Sequence, residues 1–566
     1  MKKLLLISAV ACSAMTASAQ WKNTPEGETP LYSANRDYPA ATMATSATGQ
    51  TWFHLNEIRT IDDKMSEVYF FQGLDAEGNT IMGADPAPLA LNKYQSWTMV
   101  GHNIFTDSKG NAIMAVQDYR EGDLWHHATV YKISPTGEQL WGENGITLTK
   151  GMYYSLLFSF TGCEMSDGSY VFAWVNPISS TGDPYTGVYE INIMRVEEDG
   201  TLAWEPGDVK LSNSKMPFNY PFLIDGGNAQ FNLVYAEGSN ETIKVMRYDF
   251  DGTPVWGEAV EVYNGGWGST PMWTKCEAKP SGDGGVLFAW YDDRYFTNYE
   301  DSYLAYVTPK GELGFNQTNG IKLDYTEYTR DLGVSVAYDK KTDSFVAIMR
   351  SAIGNNQSRY VMKAQRISKN GDLLWGEEAK TIAPDEGCQY GFASVIIGEE
   401  GRAAFFYEMA AESTGREVNN CVAYYDIETG EDVWGKTVNF GAKETPKSDL
   451  QAGNCGEFMV ASWMGGSWME DPTEPGTGYY SSSVGNIYVQ RINFDGTVGS
   501  KQDAIESVNG SKAMPFSIEG KTLRSGAGTE VYDLSGRLVG KGGNVQLETG
   551  VYTATNGSQS AKFVIK

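Results

Sequence analysis

The sequence predicts an all-β fold built from a unit of about 60 residues that recurs along most of the chain. Three observations support this: regularly spaced turn glycines, an aromatic residue four positions after most of them, and short apolar runs without a helical period. The unit occurs eight times between Trp21 and roughly Lys501. The turn glycines are Gly78, Gly137, Gly200, Gly252, Gly311, Gly371, Gly430 and Gly496, and the aromatic residues are Trp141, Trp204, Trp256, Phe315, Trp375 and Trp434.

The unit at 274–323 shows how each repeat is expected to fold. A short extended piece and a glycine-rich turn precede the apolar run Val286–Trp290, which predicts a buried strand. A polar loop separates this strand from a third one at Tyr303–Val307, and a tight turn at Gly311 leads to an outer strand. Each unit therefore predicts four short antiparallel strands.

Four-stranded antiparallel units repeated around an axis form a β-propeller. The sequence predicts eight blades, and seven blades with one degenerate unit outside the ring is the alternative. A ring must close, because otherwise two sheet edges stay open. The eighth unit has Ser500 in place of the aromatic residue, while the segment Trp21–Leu31 resembles the outer strand at Trp141–Leu148. We expect the N-terminal segment to supply the outer strand of the last blade.

The first residues predict export. Residues 1–19 combine Lys2 and Lys3, an apolar run and the small-residue cleavage site Ala17-Ser18-Ala19, as a signal peptide does. A lipoprotein signal ending at Cys12 is the alternative, and no later stretch predicts a transmembrane helix. We expect a protein that is secreted or held at the outer cell surface.

Charge and residue usage exclude several classes of partner and cofactor. The net charge of -27 opposes binding to nucleic acid. After cleavage five widely spaced cysteines remain, without a C-x-x-C pair, so the sequence predicts neither a disulfide framework nor a structural zinc site. Cys163, Cys276, Cys388 and Cys455 are expected at one equivalent packing position of successive units. No metal ligand set, cofactor or catalytic triad is recognisable, so no catalytic residue is predicted.

One motif resembles a known family. Asp426–Trp434 is similar to the tryptophan-docking motif of quinoprotein propellers, with weaker copies at Pro135–Trp141 and Asp249–Trp256. In that family the motif packs one blade on the next, so the resemblance implies an eight-bladed ring. It does not imply the quinone cofactor, because this chain lacks the adjacent cysteine pair of those enzymes.

The last 54 residues break the repeat and resemble another family feature. Glu530–Val539, Leu547–Tyr552 and Ala561–Lys566 are similar to the C-terminal (type A) sorting tail of Bacteroidetes proteins exported by the type IX secretion system. The resemblance implies that the secretion machinery is a partner; without use of the tail the protein would stay periplasmic. The predicted domains are the propeller at 20–505, a linker at 506–512 and a small β-sandwich at 513–566. The alternative to a sorting module is a β-sandwich that only caps the propeller.

Candidate ligand-binding residues follow the second strands of the units. Asp292, Asp293 and Arg294 form the best cluster, and Asp118 and Arg120 repeat it in an earlier unit. The longest such loop contains Trp468, Tyr479 and Tyr480, and aromatic faces beside carboxylates are typical of carbohydrate-binding surfaces. The alternative for the first cluster is an Asp–Arg pair that fixes a loop.

Two functions remain open on the sequence. The first is a non-enzymatic propeller that binds a glycan or a protein. The second is a glycan-active hydrolase or lyase that uses carboxylates near the central channel, such as Asp292 or Asp118, because acid–base cleavage of sugars needs two carboxyl groups.

Overall fold

The structure of the protein is a computed structural model, which describes residues 21–31, 40–61, 64–89, 103–119, 125–150, 158–177, 189–214, 221–237, 242–264, 276–295, 299–327, 329–353, 359–383, 393–410, 418–442, 447–470, 478–500, 516–534, 536–556 and 560–565. The chain divides into two compact units, Met1–Gly499 and Ser500–Lys566. The described residues are all-β, and no helix among them has the length and apolar character needed to cross a bilayer.

The first unit consists of four-stranded antiparallel sheets, which we number in chain order. A short strand, β1 (Thr29–Pro30), precedes them. Sheet 1 contains β2 (Ala40–Thr45), β3 (Thr51–Ile61), β4 (Lys64–Leu74) and β5 (Ala87–Pro88). Sheet 2 contains β6 (Asn103–Thr106), β7 (Ala112–Tyr119), β8 (His126–Ile133) and β9 (Ile146–Thr147). Sheet 3 contains β10 (Phe158–Glu164), β11 (Tyr170–Pro177), β12 (Tyr189–Val196) and β13 (Val209–Ser214).

The next sheets repeat this order. Sheet 4 contains β14 (Phe222–Gly227), β15 (Gln230–Glu237), β16 (Thr242–Tyr248) and β17 (Val260–Tyr263). Sheet 5 contains β18 (Glu277–Pro280), β19 (Val286–Asp292), β20 (Asp301–Val307) and β21 (Ile321–Lys322). Sheet 6 contains β22 (Thr329–Asp339), β23 (Ser344–Ile353), β24 (Tyr360–Ser368) and β25 (Lys380–Thr381). Sheet 7 contains β26 (Ser394–Ile397), β27 (Arg402–Ala410), β28 (Val418–Asp426) and β29 (Val438–Phe440). Sheet 8 contains β30 (Lys447–Asn454), β31 (Met459–Glu470), β32 (Gly478–Ile492) and β1.

Each sheet has two distinct ends. The turn end carries the connections from first to second strand and from third to fourth strand, including the turn glycines, which have positive φ angles. The loop end carries the connections from second to third strand and from the fourth strand to the next sheet. Because the strands are antiparallel, the predicted site residues Asp118 and Asp292 both lie at loop ends.

Consecutive sheets pack face to face through buried apolar side chains. Eight apolar clusters in the described residues each join two neighbouring sheets, and one of them joins sheet 8 to sheet 1. The first strands of neighbouring sheets also lie side by side, including β30 beside β2. The order of packed pairs therefore returns to its start, as in propeller-type folds.

Polar side chains on the first strands also link neighbouring sheets. These strands present an open edge, whose backbone groups need partners. One side chain of a first strand bonds the backbone of the next first strand at several sheet pairs: Glu277 with Val336 (2.9 Å), Ser335 with Val395 (3.3 Å), and Gln451 with Met43 (2.8 Å) and Ala41 (2.9 Å).

Three of the repeated tryptophans dock on the next sheet. The indole Nε1 groups of Trp141, Trp375 and Trp434 donate to backbone carbonyls of the following turn end, at 3.2, 3.3 and 2.9 Å. Arginines five positions before the turn glycines reinforce these contacts. Each donates to a carbonyl of the next sheet: Arg195 to Phe250, Arg247 to Gly284, Arg366 to Glu428 and Arg491 to Ala76.

The N-terminal segment supplies the fourth strand of sheet 8, as the sequence predicts. Thr29 pairs with Val489 and Pro30 with Tyr488. Trp21 donates its indole N–H to the carbonyl of Ala76 at 3.0 Å and packs against Gly78, where a Cβ would lie 2.8 Å from the ring. Trp21 thus occupies the place that the missing aromatic residue near Ser500 leaves in the eighth unit.

The cysteines do not share one packing position, so that expectation is wrong. Cys163 lies within β10, Cys276 precedes β18, and Cys455 follows β30 in the turn. The reason is that their spacing to the second strand differs: Cys163, Cys276 and Cys455 lie 7, 10 and 4 residues before its first residue. Cys388 lies outside the described residues. Burial raises the pKa of the Cys276 and Cys455 thiols to about 12.

The described residues of the second unit form one five-stranded antiparallel sheet. Its strands are β33 (Phe516–Glu519), β34 (Thr522–Asp533), β35 (Leu538–Gln546), β36 (Gly550–Thr555) and β37 (Ser560–Ile565). The long strand β34 pairs with β33, β35 and β36. This unit has an apolar core of its own, which includes Leu523, Val531 and Ile565. The predicted linker at 506–512 lies outside the described residues.

Candidate functional site

The aspartates predicted from sheets 2 and 5 occupy equivalent positions. Ala112 and Val286 start the two second strands and pair with Ile133 and Val307 at the ends of the third strands. Counting along the register from these pairs, Asp118 and Asp292 lie at the same row of their sheets. The repeat seen in the sequence is therefore a repeat in the structure, although the two residues lie on different, non-adjacent sheets.

Asp292 is buried, and both of its carboxylate oxygens accept hydrogen bonds from its own sheet. Oδ2 accepts from Trp290 Nε1 and from an Arg294 Nη2, each at 2.7 Å. Oδ1 accepts from the backbone N–H and the Nε of Arg294, at 3.0 and 2.8 Å. Asp292 and Arg294 thus form a bidentate ion pair between residues two positions apart in the chain.

Aromatic rings and a carbonyl hold the other side of Arg294. Its guanidinium carbon lies 3.4 Å from the centre of the Tyr303 ring, and Nη1 donates to the carbonyl of Asn319 at 2.9 Å. Burial acts to lower the pKa of Arg294, but the hydrogen bond and charge of Asp292 outweigh it, and the pKa is raised. The structure therefore favours the alternative interpretation, in which this pair fixes the loop. Asp293 follows it and is half-buried.

Asp118 is also buried, in a different setting. It pairs with His127 across the sheet, and the Thr129 hydroxyl donates to its Oδ1 at 3.3 Å. Arg120 lies outside the described residues, so the predicted Asp118–Arg120 pair is not described. In sheet 2, Val116 stands where sheet 5 has Trp290, so the indole donor that fixes Asp292 has no counterpart there.

Sheet 2 contains a hydrogen-bonded chain that the sequence did not indicate. His126 is buried, with Nδ1 2.9 Å from Gln117 Oε1 and Nε2 2.6 Å from the Tyr119 hydroxyl. The Tyr119 and His126 rings meet edge to face, with centroids 4.4 Å apart. Burial, and to a lesser extent the charge of His127, lower the pKa of His126 to about 4. The ring is therefore neutral near pH 7.

His126 and His127 are adjacent in β8, and successive side chains of a strand point to opposite faces, so the two rings do not bind one metal ion together. The described residues contain no cluster of three or more groups that could hold a metal ion. The chain from Gln117 to Tyr119 depends on the pairing of Tyr119 with His126, which the sequence spacing alone does not fix. One sequence signal points to this chain: polar residues at the ends of two consecutive strands, Gln-Asp-Tyr in the first and His-His in the second.

The third group of candidates lies on a ribbon of sheet 8. The first strand, β30, begins to pair with β31 at Lys447 and Gly465. Beyond this row only β31 and β32 continue, and they pair as a two-stranded ribbon. In the ribbon Trp468 pairs with Tyr480, and Met469 pairs with Tyr479. Directly paired positions lie on the same face of an antiparallel ribbon. The ladder thus puts the positions of Trp468 and Tyr480 together.

Charged residues also collect where sheets 5 and 6 meet at the loop end. Asp331 is buried and accepts from Ser351 Oγ at 2.6 Å and from the backbone N–H of Ser302 at 3.1 Å. Burial raises its pKa to about 6. Next to it, Arg330 forms a bidentate ion pair with Glu300, at 2.7 and 2.9 Å. These bonds join two sheets, so they stabilise their packing rather than expose reactive groups.

The chain has no match among protein-family models, and no curated protein matches it. Solved structures do show distant likeness. A puromycin hydrolase aligns with a TM-score of 0.41 and 11% identity, over 79% of this chain and 62% of its own length. The polysaccharide lyase Uly1 aligns with a TM-score of 0.39 and 11% identity, over 71% and 91%. An α-L-arabinanase of Penicillium chrysogenum aligns with a TM-score of 0.31 and 12% identity, over 60% and 94%.

These likenesses are to enzymes, but TM-scores below 0.5 carry no information about chemistry. The chain spans less than two thirds of the length of the hydrolase. What this protein does therefore has to follow from its own residues.

Proposed function

We propose that residues 20–505 form a closed eight-bladed propeller that binds a glycan at the loop end without cleaving it. The cyclic order of the apolar clusters and the strand that Thr29 and Pro30 add to sheet 8 support eight blades. Seven blades would leave one of these sheets without its two packed neighbours.

The observation that carries the binding function is the ribbon of sheet 8. This ribbon lengthens sheet 8 at its loop end, and its paired positions include Trp468, Tyr479 and Tyr480. Aromatic residues bind sugars because their rings cover the apolar C–H faces while polar neighbours take the hydroxyl groups. Neutral glycans also suit a chain with a net charge of -27, which repels anionic polymers.

The state of Asp292 supports binding over catalysis. A catalytic carboxylate must exchange a proton with the substrate or attack it. Both oxygens of Asp292 are already bonded to Trp290 and Arg294. Using Asp292 as an acid or nucleophile would break the ion pair that orders its loop.

The test is a panel of polysaccharides incubated with the purified chain from Gln20 onward. Retention of the protein and release of soluble sugar are scored in the same tubes. We expect retention on at least one neutral polysaccharide without product. Product release by the wild type that disappears in an Asp292→Asn variant with a folded circular-dichroism spectrum would instead establish the hydrolase or lyase alternative.

Variants of the ribbon test where the glycan binds. Trp468→Ala and Tyr480→Ala each remove an aromatic group from one ladder row, and we expect about tenfold weaker retention, equivalent to about 1.4 kcal/mol. Phe250→Ala is the matched control, because Phe250 is 54% exposed but lies at the turn end. Equal losses in the ribbon and control variants would contradict the assignment.

We propose further that the signal peptide and the tail at 513–566 direct export to the cell surface. The separate apolar core of the second unit supports a module that folds by itself. Truncation after Ser511 should leave the melting temperature of the propeller nearly unchanged and alter the location of the protein in cells. A truncated chain that melts far below the full chain would make the tail a structural cap.

A further inference from the structure

The hydrogen bonds at the loop end of sheet 2 fix the proton positions of His126. The Gln117 carboxamide oxygen can only accept, so the imidazole proton resides on Nδ1 and Nε2 is an acceptor. The Tyr119 hydroxyl lies 2.6 Å from Nε2 and therefore donates its proton there. The low pKa of His126, about 4, keeps the ring neutral and this arrangement intact near pH 7.

This assignment determines what Tyr119 can offer a ligand. With its proton engaged on His126, the phenolic oxygen can take part in another bond only as an acceptor. Tyr119 is the last residue of β7 and is half-buried, whereas His126 and Gln117 are buried. The two buried groups thus hold the hydroxyl of a half-buried tyrosine as an acceptor, which suits a ligand that donates O–H groups.

An exposed tryptophan lies one position before the row that holds this acceptor. Trp125 precedes His126, the residue that pairs with Tyr119, and 41% of its surface is exposed. Indoles of this exposure are unusual in a chain that buries Trp52, Trp174, Trp290 and Trp463 almost completely. An exposed indole one position from the row of Tyr119 and His126 adds an apolar face to the polar contact that a sugar ring requires.

We propose that Tyr119 and Trp125 form a binding subsite for a neutral sugar residue at the loop end of sheet 2, with Gln117 and His126 as positioning residues. The subsite rests on the proposed glycan-binding function and lies on a different sheet from the ribbon. Tyr119 accepts a hydroxyl proton of the sugar, and Trp125 covers its C–H face.

The test is native affinity electrophoresis of the full mature chain in gels that contain arabinan, xylan, mannan or mixed-linkage β-glucan. We expect Tyr119→Phe to weaken retardation about threefold to tenfold, as the loss of one neutral hydrogen bond does. Trp125→Ala should weaken it about tenfold or more. Tyr295→Phe is the matched control, because Tyr295 is 70% exposed in the corresponding loop of sheet 5.

Variants of His126 separate positioning from folding. His126→Gln can keep an acceptor near the Tyr119 hydroxyl and should retain most of the retardation, whereas His126→Leu should lose it with a folded circular-dichroism spectrum. If Tyr119→Phe and Trp125→Ala run like the wild type in a gel that retards it, the subsite is wrong and the glycan-binding function stands. If no gel retards the wild-type chain, both proposals fail.

Discussion

Sheets 2 and 5 carry an aspartate at the same row of the second strand, but its surroundings differ. In sheet 5, Asp292 is enclosed by donors from Trp290 and Arg294, and these bonds fix the chain at Arg294. In sheet 2, the neighbouring residues instead form the chain from Gln117 through His126 to Tyr119, which ends at a half-buried hydroxyl. Equivalent positions in a repeat can thus serve structure in one sheet and offer a ligand contact in another.

The largest expected effect is on the stability of sheet 5. Asp292→Asn removes the negative charge and places an amide group against the donors of Arg294. Because breaking a buried ion pair leaves the other charge uncompensated, we expect a loss of about 3 kcal/mol or more in the free energy of unfolding. The shift of the urea midpoint measures it.

Two further variants sharpen this prediction. Asp293→Asn, at the half-buried neighbour, should change stability by about 0.5 kcal/mol or less. The double variant Asp292→Leu with Arg294→Met removes both charges and should recover part of the loss. If all three variants have the wild-type midpoint, Asp292 does not fix the loop and becomes available for other roles.

The sequence predicted most of the fold because the repeated residues are those that pack one sheet against another. The docking tryptophans and the arginines bond the next sheet, and the turn glycines contact the aromatic residue of the preceding sheet. The same residue types therefore recur at similar spacing in most units. The replacement of the eighth outer strand by the segment around Trp21 was predictable for the same reason.

The site was less predictable because it depends on side-chain burial and register. Asp292-Asp293-Arg294 reads as a polar cluster in the sequence, and only the structure shows that Asp292 and Arg294 satisfy each other. Nothing in the spacing of Gln117, Tyr119 and His126 reveals that one buried imidazole joins the other two. The ligand-binding role of the candidate residues stays a prediction, and Arg120 lies outside the described residues.

The second prediction concerns the pH dependence of stability in sheet 2. The pKa of His126 is about 4 in the folded protein, below the value of about 6.5 for an unfolded chain. Between these values the unfolded chain binds more protons, so this group's contribution to stability is complete above pH 6.5 and is lost as the pH falls toward 4. Between pH 7 and pH 5 the expected loss is about 2 kcal/mol.

Comparison with His126→Gln isolates this contribution, because other groups titrate in the same range. Asp331, whose pKa is raised to about 6 in the folded protein, has the opposite effect: its contribution to the free energy of unfolding increases as the pH falls. The unfolding free energy of the wild type minus that of His126→Gln should therefore fall by about 2 kcal/mol from pH 7 to pH 5. A constant difference would show that His126 is not a buried neutral ring.

The last expected effect, smaller than those of Asp292→Asn and of pH, is that of Tyr119→Phe on stability. The substitution removes one hydroxyl donor to Nε2 of His126, and we expect a loss of about 1 kcal/mol or less. Gln117 still fixes the proton on Nδ1, so the imidazole nitrogen shifts of His126 should keep the pattern of the Nδ1–H tautomer at pH 7. Tyr303→Phe is the matched change in sheet 5, where the hydroxyl lies 3.3 Å from Asp301 Oδ2 and the ring supports Arg294. Both variants should be nearly as stable as the wild type, but only Tyr119→Phe should weaken glycan retention. Equal retention by the two would mean that the chain in sheet 2, like the ion pair in sheet 5, serves structure alone.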